Sequence, residues 1–268
     1  MAGRLAPPSA SDDKYSQGVV GVVAGSATYP GAAVLCTGAA LRTRPGLVRY
    51  AGTAADGVRA AWPEAIVTDG RPGDAGRVQS WVVGPGMGTD DDARSVLAEV
   101  LATDLPVVVD ADALTMVAAD PSLVRGRTAP TLLTPHDREF ARFGAEPGTD
   151  RIGAARRLAA DLGCAVLLKG EATVVADAGG RAFVNATGTP WLATAGTGDV
   201  LSGIAGAVLA TGLDAAQAGA VAAHLHGRTG QLAAERGPLL AGDLIRRLPE
   251  AIGRVRGVPP RRLGHSDA

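Results

Sequence analysis

Short runs of consecutive apolar residues alternate with stretches of helical period along most of the chain. Residues 18–24 (GVVGVVA) read as a valine-rich buried strand, and residues 31–42, small and apolar, as a helix. Residues 47–50 and 65–68 are short strand candidates. Ser80–Val83 is a strand that runs into Gly84-Pro85-Gly86-Met87-Gly88, and residues 90–101 have helical spacing with an acidic first turn. Residues 106–109 form a strand ending at Asp110-Ala111-Asp112, and Thr131–Leu133 another ending at Thr134-Pro135-His136. Arg151–Leu162 alternates basic and alanine positions at helical period. Residues 165–169 and Thr173–Ala176 are strands, and 182–184 return across a turn at 177–180 as a hairpin partner. Beyond Asp199 the pattern is helical: 200–210, 214–234 with Asp214 as N-cap, and Ala241–Val255. Residues 71–77 read as a surface loop and 257–268 as a frayed tail.

Unbroken apolar strands separated by helices predict a mostly parallel sheet covered on both faces. There is no internal repeat and no long linker, so residues 1–268 are expected to form one domain with its core at about 14–255. Five polar or glycine-rich motifs each follow a strand, at 25–31, 84–88, 110–112, 134–136 and 169–173. In an open parallel sheet the carboxyl ends of the strands share one edge, where ligands bind. These distant motifs are therefore expected to line one cleft.

Composition narrows the partners. A net charge of −1 over 268 residues gives no case for nucleic acid or a membrane surface, and 3% aromatics leaves few base-stacking platforms. Cys36 and Cys164 make neither a metal-ligand spacing nor a disulfide framework. The first residues, 1–13, lack the apolar core of a signal peptide, and the run at 200–210 is too short for a membrane span. A cytoplasmic protein is the expectation.

The most informative chemistry lies in Thr194-Ala195-Gly196-Thr197-Gly198-Asp199. Two glycines admit close backbone approach, and the helix behind them gathers free N–H groups and a positive dipole end at one point. A carboxylate there is either an ordinary first-turn acid or a base beside an anion site. Anion hole plus carboxylate suits chemistry on a hydroxyl near a phosphate. Asp110 or Asp112 can orient a sugar hydroxyl or hold magnesium through water, or Asp112 can cap a helix. His136 is either structural or a ligand contact. Lys169-Gly170 can set an ammonium beside a phosphate with Thr173 adding a hydroxyl, or Lys169 simply closes a strand onto solvent. His224 and His226, two apart on a helix, face different sides and disfavour a two-histidine metal site, with His224 expected to be the packed one.

In order, the chain carries GSATYPGAA from Gly25, LRTRPGLVRY from Leu41, GPGMG, DADAL from Asp110, LLTPH to His136, LKGEATVVA from Leu168, NATGTPWLATAGTGDVLSGI from Asn185 and HLHGRTG from His224. This set resembles the ADP-dependent NAD(P)H-hydrate dehydratase family of the ribokinase-like superfamily, over nearly the whole chain. The resemblance implies a ribokinase-like three-layer α/β/α sandwich with a mostly parallel central sheet. It implies a repair reaction, in which the S-epimer of hydrated NADH or NADPH (NADHX, NADPHX) loses water at the expense of ADP, with AMP and phosphate released. Asp199 would be the base, and Gly196 and Gly198 the anion hole. Ala32, Gly88, His136 and Asp199 would contact the hydrate. Lys169, Gly170, Glu171, Ala172, Thr173 and Gly198 would hold the nucleotide. Mg2+ would arrive with the nucleotide, with no dedicated protein metal site, and Asp112 would order it or the phosphates. A homotetramer is implied too.

Three positions depart from the family pattern. Asp137-Arg138 replace Pro-Gly in TPHPGE, Thr115 replaces the Asn that usually follows DADAL, and Ala195 replaces a glycine. Many relatives carry an epimerase domain ahead of this one. The segment 12–17 reads like sequence just after that junction, so a stand-alone enzyme or half of a bifunctional one is expected, with the epimerase fused or a partner. Two rivals share the features: a ribokinase-like kinase of a thiazole or pyrimidine alcohol, and a non-catalytic nucleotide sensor.

Overall fold

A computed structural model describes residue 7, residues 9–43 and residues 46–258. Its strands are β1 (Val19–Val23), β2 (Leu47–Ala51), β3 (Ile66–Thr68), β4 (Ser80–Val83), β5 (Val107–Val109), β6 (Thr131–Leu133), β7 (Ala165–Leu168), β8 (Thr173–Ala176) and β9 (Ala182–Asn185). They form one sheet in the order β3-β2-β1-β4-β5-β6-β7-β8-β9, parallel from β3 to β7, with β7–β8 and β8–β9 antiparallel. The chain winds outward from β1 to β3, then returns to β4 on the other side of β1. The order thus reverses between β1 and β4, the place where an open sheet leaves a crevice.

The helices are α1 (Pro30–Thr43), α2 (Ala55–Ala61), α3 (Asp91–Leu101), α4 (Asp112–Ala119), α5 (Asp137–Ala141), α6 (Arg151–Leu162), α7 (Thr197–Leu209), α8 (Ala215–Ala233) and α9 (Ala241–Val255). Strand alternation divides the interior into two cores. Val20, Val22, Val82 and Leu132 point to the face covered by α1, α7, α8 and α9. Val19, Val23, Val83 and Leu133 point to the face covered by α3, α4 and α6. The expected three layers follow from that alternation, and each face removes its valines and leucines from water at about 25 cal/mol per Å² of apolar area.

The small residues of α7 permit close contact. A Cβ on Gly203 would lie 2.2 Å from the carbonyl oxygen of Cys36 in α1, and one on Gly206 would lie 2.2 Å from Cγ2 of Val82. Only glycine lets α7 sit this deeply between α1 and the sheet. Ser80 Oγ donates to the Gly206 carbonyl at 2.9 Å, which satisfies a hydroxyl buried in that contact.

Most expected elements stand where the pattern puts them. Asp214 caps α8, accepting from the N–H of Gln217 at 2.8 Å, and Asp90 caps α3 in the same way. The differences have causes. Helix α2 and helix α4 have 7 and 8 residues, two turns each, too few for the helical period to declare itself. Helix α7 begins at Thr197 instead of residue 200, because Gly196 adopts φ 85° and turns the chain into the helix earlier. Gly257 and Val258, read as the start of a frayed tail, instead close α9: the Val258 N–H donates to Gly253 O at 2.9 Å. The rest of that tail, 259–268, lies outside the described residues.

Candidate functional site

The loops after β1, β4, β5, β6 and β7 meet along the carboxyl edge of the sheet. The N–H of Gly25 donates to the carbonyl of Pro85 at 2.7 Å, joining the two loops that flank the reversal point. Beside them opens a cavity of about 460 Å³ whose wall includes Tyr29, Gly31, Ala32, Gly86, Gly196 and Asp199. Tyr29, 60% exposed, stands at the mouth with its ring uncovered.

Helix α7 points its first turn into this place. Gly198 and Asp199 are its second and third residues, positions whose N–H groups have no acceptor within the helix. Gly196 sets the turn. A side chain there would meet φ 85° and a Leu35 methyl 2.5 Å from its Cβ. The Asp199 carboxyl is pushed up from 3.8 to about 7, first by burial, then by the Asp110 charge; Lys169 opposes and Asp112 adds to the rise. A carboxyl poised there switches between acid and base at neutral pH.

Behind Asp199 lies a buried ionic cluster. Asp110, 2% exposed, accepts from Lys169 Nζ at 2.9 Å on one oxygen and from Ser202 Oγ at 2.6 Å on the other. Burial would raise the Asp110 carboxyl, but the Lys169 ammonium and the Ser202 and Thr134 hydroxyls hold it below its ordinary value. Lys169 Nζ also lies 3.4 Å from Glu139 Oε2. Burial would lower the Lys169 ammonium, yet these two carboxylates keep it above its ordinary value and charged. A Cβ built on Gly198 would be 3.9 Å from that nitrogen, so the ammonium faces the start of α7.

His136 belongs to the same cluster. Its Nδ1 accepts from the N–H groups of Arg138 and Glu139 at 3.1 and 3.2 Å, while Glu139 accepts from the His136 N–H at 2.8 Å. The ring therefore caps α5 and carries its proton on Nε2 when neutral. His136 is thus structural at Nδ1, and its Nε2 lies 3.6 Å from Glu139 Oε1 on a half-exposed ring.

Several expectations need correction. Asp110 does not present a carboxylate to a sugar or a metal, because both oxygens are engaged internally. Asp112 does not cap α4; it is the first residue of that helix and accepts from the Gly88 N–H at 2.9 Å. That contact turns Gly88 toward Asp112, and Gly88 is not part of the cavity wall. His226, rather than His224, is the packed histidine. Its Nε2 donates to the Thr197 carbonyl at 2.9 Å, and burial holds the ring neutral with a pKa of about 4. His224 and His226 are both half-buried, and the Thr197 bond is what sets His226 apart. Thr173 Oγ1 reaches only its own loop, at 3.4 Å from Gly170 O. The departure at Thr115 is an acceptor for Arg142 Nη1 at 2.6 Å.

The sequence reasoning missed Ser202, Glu139 and His226. Ser202 had a readable signal: it is the only polar residue in the apolar run 200–210. Ala111, between the two aspartates, has φ 50° and is the one non-glycine residue with positive φ among the described residues. Such backbone costs about 1–3 kcal/mol and gathers at functional sites. Among the described residues no group of three or more His, Cys, Asp or Glu side chains forms a metal cage, and no helix is long and apolar enough to cross a membrane.

Known proteins are similar to this chain in sequence and in fold. The sequence model of a family described as NAD(P)H-hydrate dehydratase matches residues 20–252. The bifunctional NAD(P)H-hydrate repair enzyme Nnr of Mycobacterium leprae is 57% identical over 251 residues, which are 93% of this chain and 52% of that protein. This chain therefore spans about half the length of that relative. The ADP-dependent (S)-NAD(P)H-hydrate dehydratase of Neisseria meningitidis serogroup B is 40% identical over 246 residues, covering 86% of this chain and 82% of that one. The ADP/ATP-dependent NAD(P)H-hydrate dehydratase of Bacillus subtilis, co-crystallised with ATP and Mg2+, superposes with a TM-score of 0.83 at 29% identity, over 94% of this chain and 95% of that one. The ribokinase-like fold expected from the motifs is the fold observed.

Proposed function

The chain belongs to the NAD(P)H-hydrate dehydratase family, and from that premise we propose that it dehydrates the S-epimer of NADHX and NADPHX at the expense of ADP, releasing NAD(P)H, AMP and phosphate. One observation carries the reading: the Asp199 carboxyl, raised to about 7, stands in the wall of an open cavity at the first turn of α7, the turn toward which the Lys169 ammonium points.

The chemistry follows from what each group can do. Hydroxide is a poor leaving group from the hydrated ring. Asp199 accepts the proton of the ring hydroxyl as its oxygen bonds to the terminal phosphorus of ADP, and the bridging oxygen leaves with AMP. The N–H groups of Gly198 and Asp199 and the Lys169 ammonium neutralise the charge on the transferring phosphoryl. The ring nitrogen lone pair then expels phosphate, breaking the carbon–oxygen bond. Loss of a proton from the adjacent carbon restores the double bond, so the net change is loss of water and hydrolysis of one phosphoanhydride.

In this reading Ala32 and Asp199 hold the hydrate in the cavity, with the half-exposed His136 ring meeting it from outside the cavity wall and Gly88 shaping the approach. The segment Lys169, Gly170, Glu171, Ala172 and Thr173, with Gly198, holds the nucleotide. Lys169 spends two of its three donors on Asp110 and Glu139, which leaves one for a phosphate. Mg2+ fits as a nucleotide-borne ion, because such an ion needs only one or two protein carboxylates. Asp112 would be its ligand, and the ion would neutralise phosphate charge. The lyase is read as a cytoplasmic homotetramer of one domain per chain, working with an epimerase that is fused to it or separate.

The test is incubation of the pure protein with NADHX and with NADPHX, with ADP and ATP in parallel, following absorbance of the restored dihydronicotinamide. Nucleotide-dependent recovery with release of AMP from ADP is expected. A stable phosphorylated alcohol without recovery would mark a kinase and sink the reading.

A further inference from the structure

One ionic contact at the edge of the cleft has no part in the chemistry above. Arg151 opens α6, and its guanidinium turns back under the loop joining β7 to β8. Its Nη1 donates to both oxygens of Asp137, at 2.8 and 3.0 Å, and its Nη2 donates to the carbonyl of Lys169 at 2.7 Å. A Cβ on Gly170 would lie 2.5 Å from Nη2, so the bare peptide of glycine is what admits the guanidinium there. The Arg151 side chain is 24% exposed, and its Nε is buried without a partner. A buried donor left unpaired is unfavourable, so the other contacts of this guanidinium hold it in place.

Asp137 stands where the resembling motif has proline, which has no carboxylate to offer. The pair Asp137–Arg151 is therefore a property of this chain's own sequence. It ties the first turn of α5, the first turn of α6 and the loop 169–172 at one point. That loop has few other anchors. The Lys169 N–H donates to Pro135 O at 2.8 Å, and Gly170 and Glu171 are exposed. That hydrogen bond holds the peptide before Lys169; the next peptide, which precedes a glycine, is held at its carbonyl by Arg151.

We propose that Arg151, oriented by Asp137, is the positioning residue of the nucleotide segment: it grips the Lys169 carbonyl and so pre-sets the backbone of Gly170, Glu171 and Ala172 for the phosphates of a nucleoside diphosphate. This rests on the function proposed above. Because Arg151 is neutralised by Asp137, it acts through geometry and not as a second cation on the phosphate. It touches neither Asp199 nor the wall of the cavity, so its effect falls on the nucleotide alone.

The experiment compares the full chain with Arg151→Met, Arg151→Lys, Asp137→Asn and the double variant Asp137→Asn/Arg151→Met. ADP binding is measured by calorimetry, and KM for ADP and for NADHX by initial rates. Arg151→Met should weaken ADP about tenfold, the scale of one charge-assisted hydrogen bond, with KM for NADHX unchanged. Lysine, a point charge without the fork, should recover part of the loss. The double variant should be no weaker than Arg151→Met alone, because Asp137 acts only through the arginine. Asp137 is 59% exposed, so Asp137→Asn tests the contact at a site tolerant of change and should raise KM for ADP a few-fold. Wild type that binds ADP, together with an Arg151→Met variant that binds it equally well, would overturn this proposal and leave the function standing. Equal weakening of ADP and NADHX would overturn it as a merely structural effect. Wild type that binds no ADP would overturn both.

Discussion

Replacing Asp199 with asparagine removes the base while keeping its size and polarity, and it should act in opposite directions on rate and stability. General-base loss costs about 10²–10⁴ in turnover. The stability effect follows from linkage. The folded carboxyl titrates at about 7 against 3.8 when unperturbed, which at 1.36 kcal/mol per unit sets a ceiling near ~4 kcal/mol. Partial exposure of the group reduces this to about 2 kcal/mol. The sign is fixed by proton counts: between pH 4 and 7 the folded state holds the extra proton, so this group's contribution falls as pH rises through that window. Above pH 7 the wild type bears the full cost of a charged buried carboxylate, and the asparagine variant does not. Its melting temperature should therefore rise by about 4–8 °C at pH 8, at 2–4 °C per kcal/mol for a chain of this size. The gain should fade by pH 4. In the wild type, kcat/KM should climb to a plateau with an acid limb near pH 7, since the protonated form accepts no proton. The assays are NADHX turnover with ADP from pH 5 to 9 and calorimetric melting at pH 4 and 8. Full turnover in the variant, an acid limb below pH 5, or loss of stability alongside activity would refute the argument.

Lys169→Met leaves two buried carboxylates, Asp110 and Glu139, without their cation, and should cost about 3–5 kcal/mol by urea unfolding at pH 8. The loss should shrink at pH 5 as Asp110, buried and without its cation, takes up a proton, and any residual activity should show its acid limb above 7, because Lys169 lowers Asp199. Gly203→Ala forces a methyl to 2.2 Å from the Cys36 carbonyl and should destabilise by about 1–3 kcal/mol. It should also lower kcat/KM, since α1 and α7 carry the opposing cavity residues Ala32 and Asp199. Gly57→Ala, whose Cβ would meet only a Val34 methyl at 3.7 Å, is the control and should be neutral or stabilising by up to ~1 kcal/mol in denaturant melts.

The sheet was legible because its strands are buried on both faces. A strand covered on both sides must be apolar throughout, and valine runs such as residues 19–23 and 107–109 have no other comfortable use. The edge that collects the motifs followed from topology alone, since every parallel strand ends on the same side. Pairings across that edge were not legible. Nothing in the spacing of Asp110, Lys169 and Ser202 says that the lysine and the serine meet the same carboxylate from 59 and 92 residues away. The motif reading left Asp110 open to a ligand because an aspartate after VVV looks available; the fold engages both of its oxygens. His224 and His226 show the same limit. Their opposite facing followed from helical period, but which one faced inward depended on where Thr197 lay.

Asp110 and Asp199 are the same residue type and feel the same lysine, yet their carboxyls shift in opposite directions, because their partners differ. Lys169 bonds directly to Asp110 and two hydroxyls complete the shell, so the more buried carboxylate is the one held ionised. Asp199 receives only the distant field of that lysine. Burial raises Asp199 most, and the repulsion of the anion that the lysine has stabilised adds to that and outweighs the lysine. A cation that bonds to one of two buried acids thus holds that one ionised and leaves the other to burial and to the repulsion of the first. The charge needed beside a phosphate and the base needed beside a hydroxyl come from a single ion pair. The pair is set off-centre by Ser202, whose hydroxyl satisfies the second oxygen of Asp110. Ser202 and Asp199 lie one turn apart on α7. The helix that carries the base therefore also fixes the anion that tunes it.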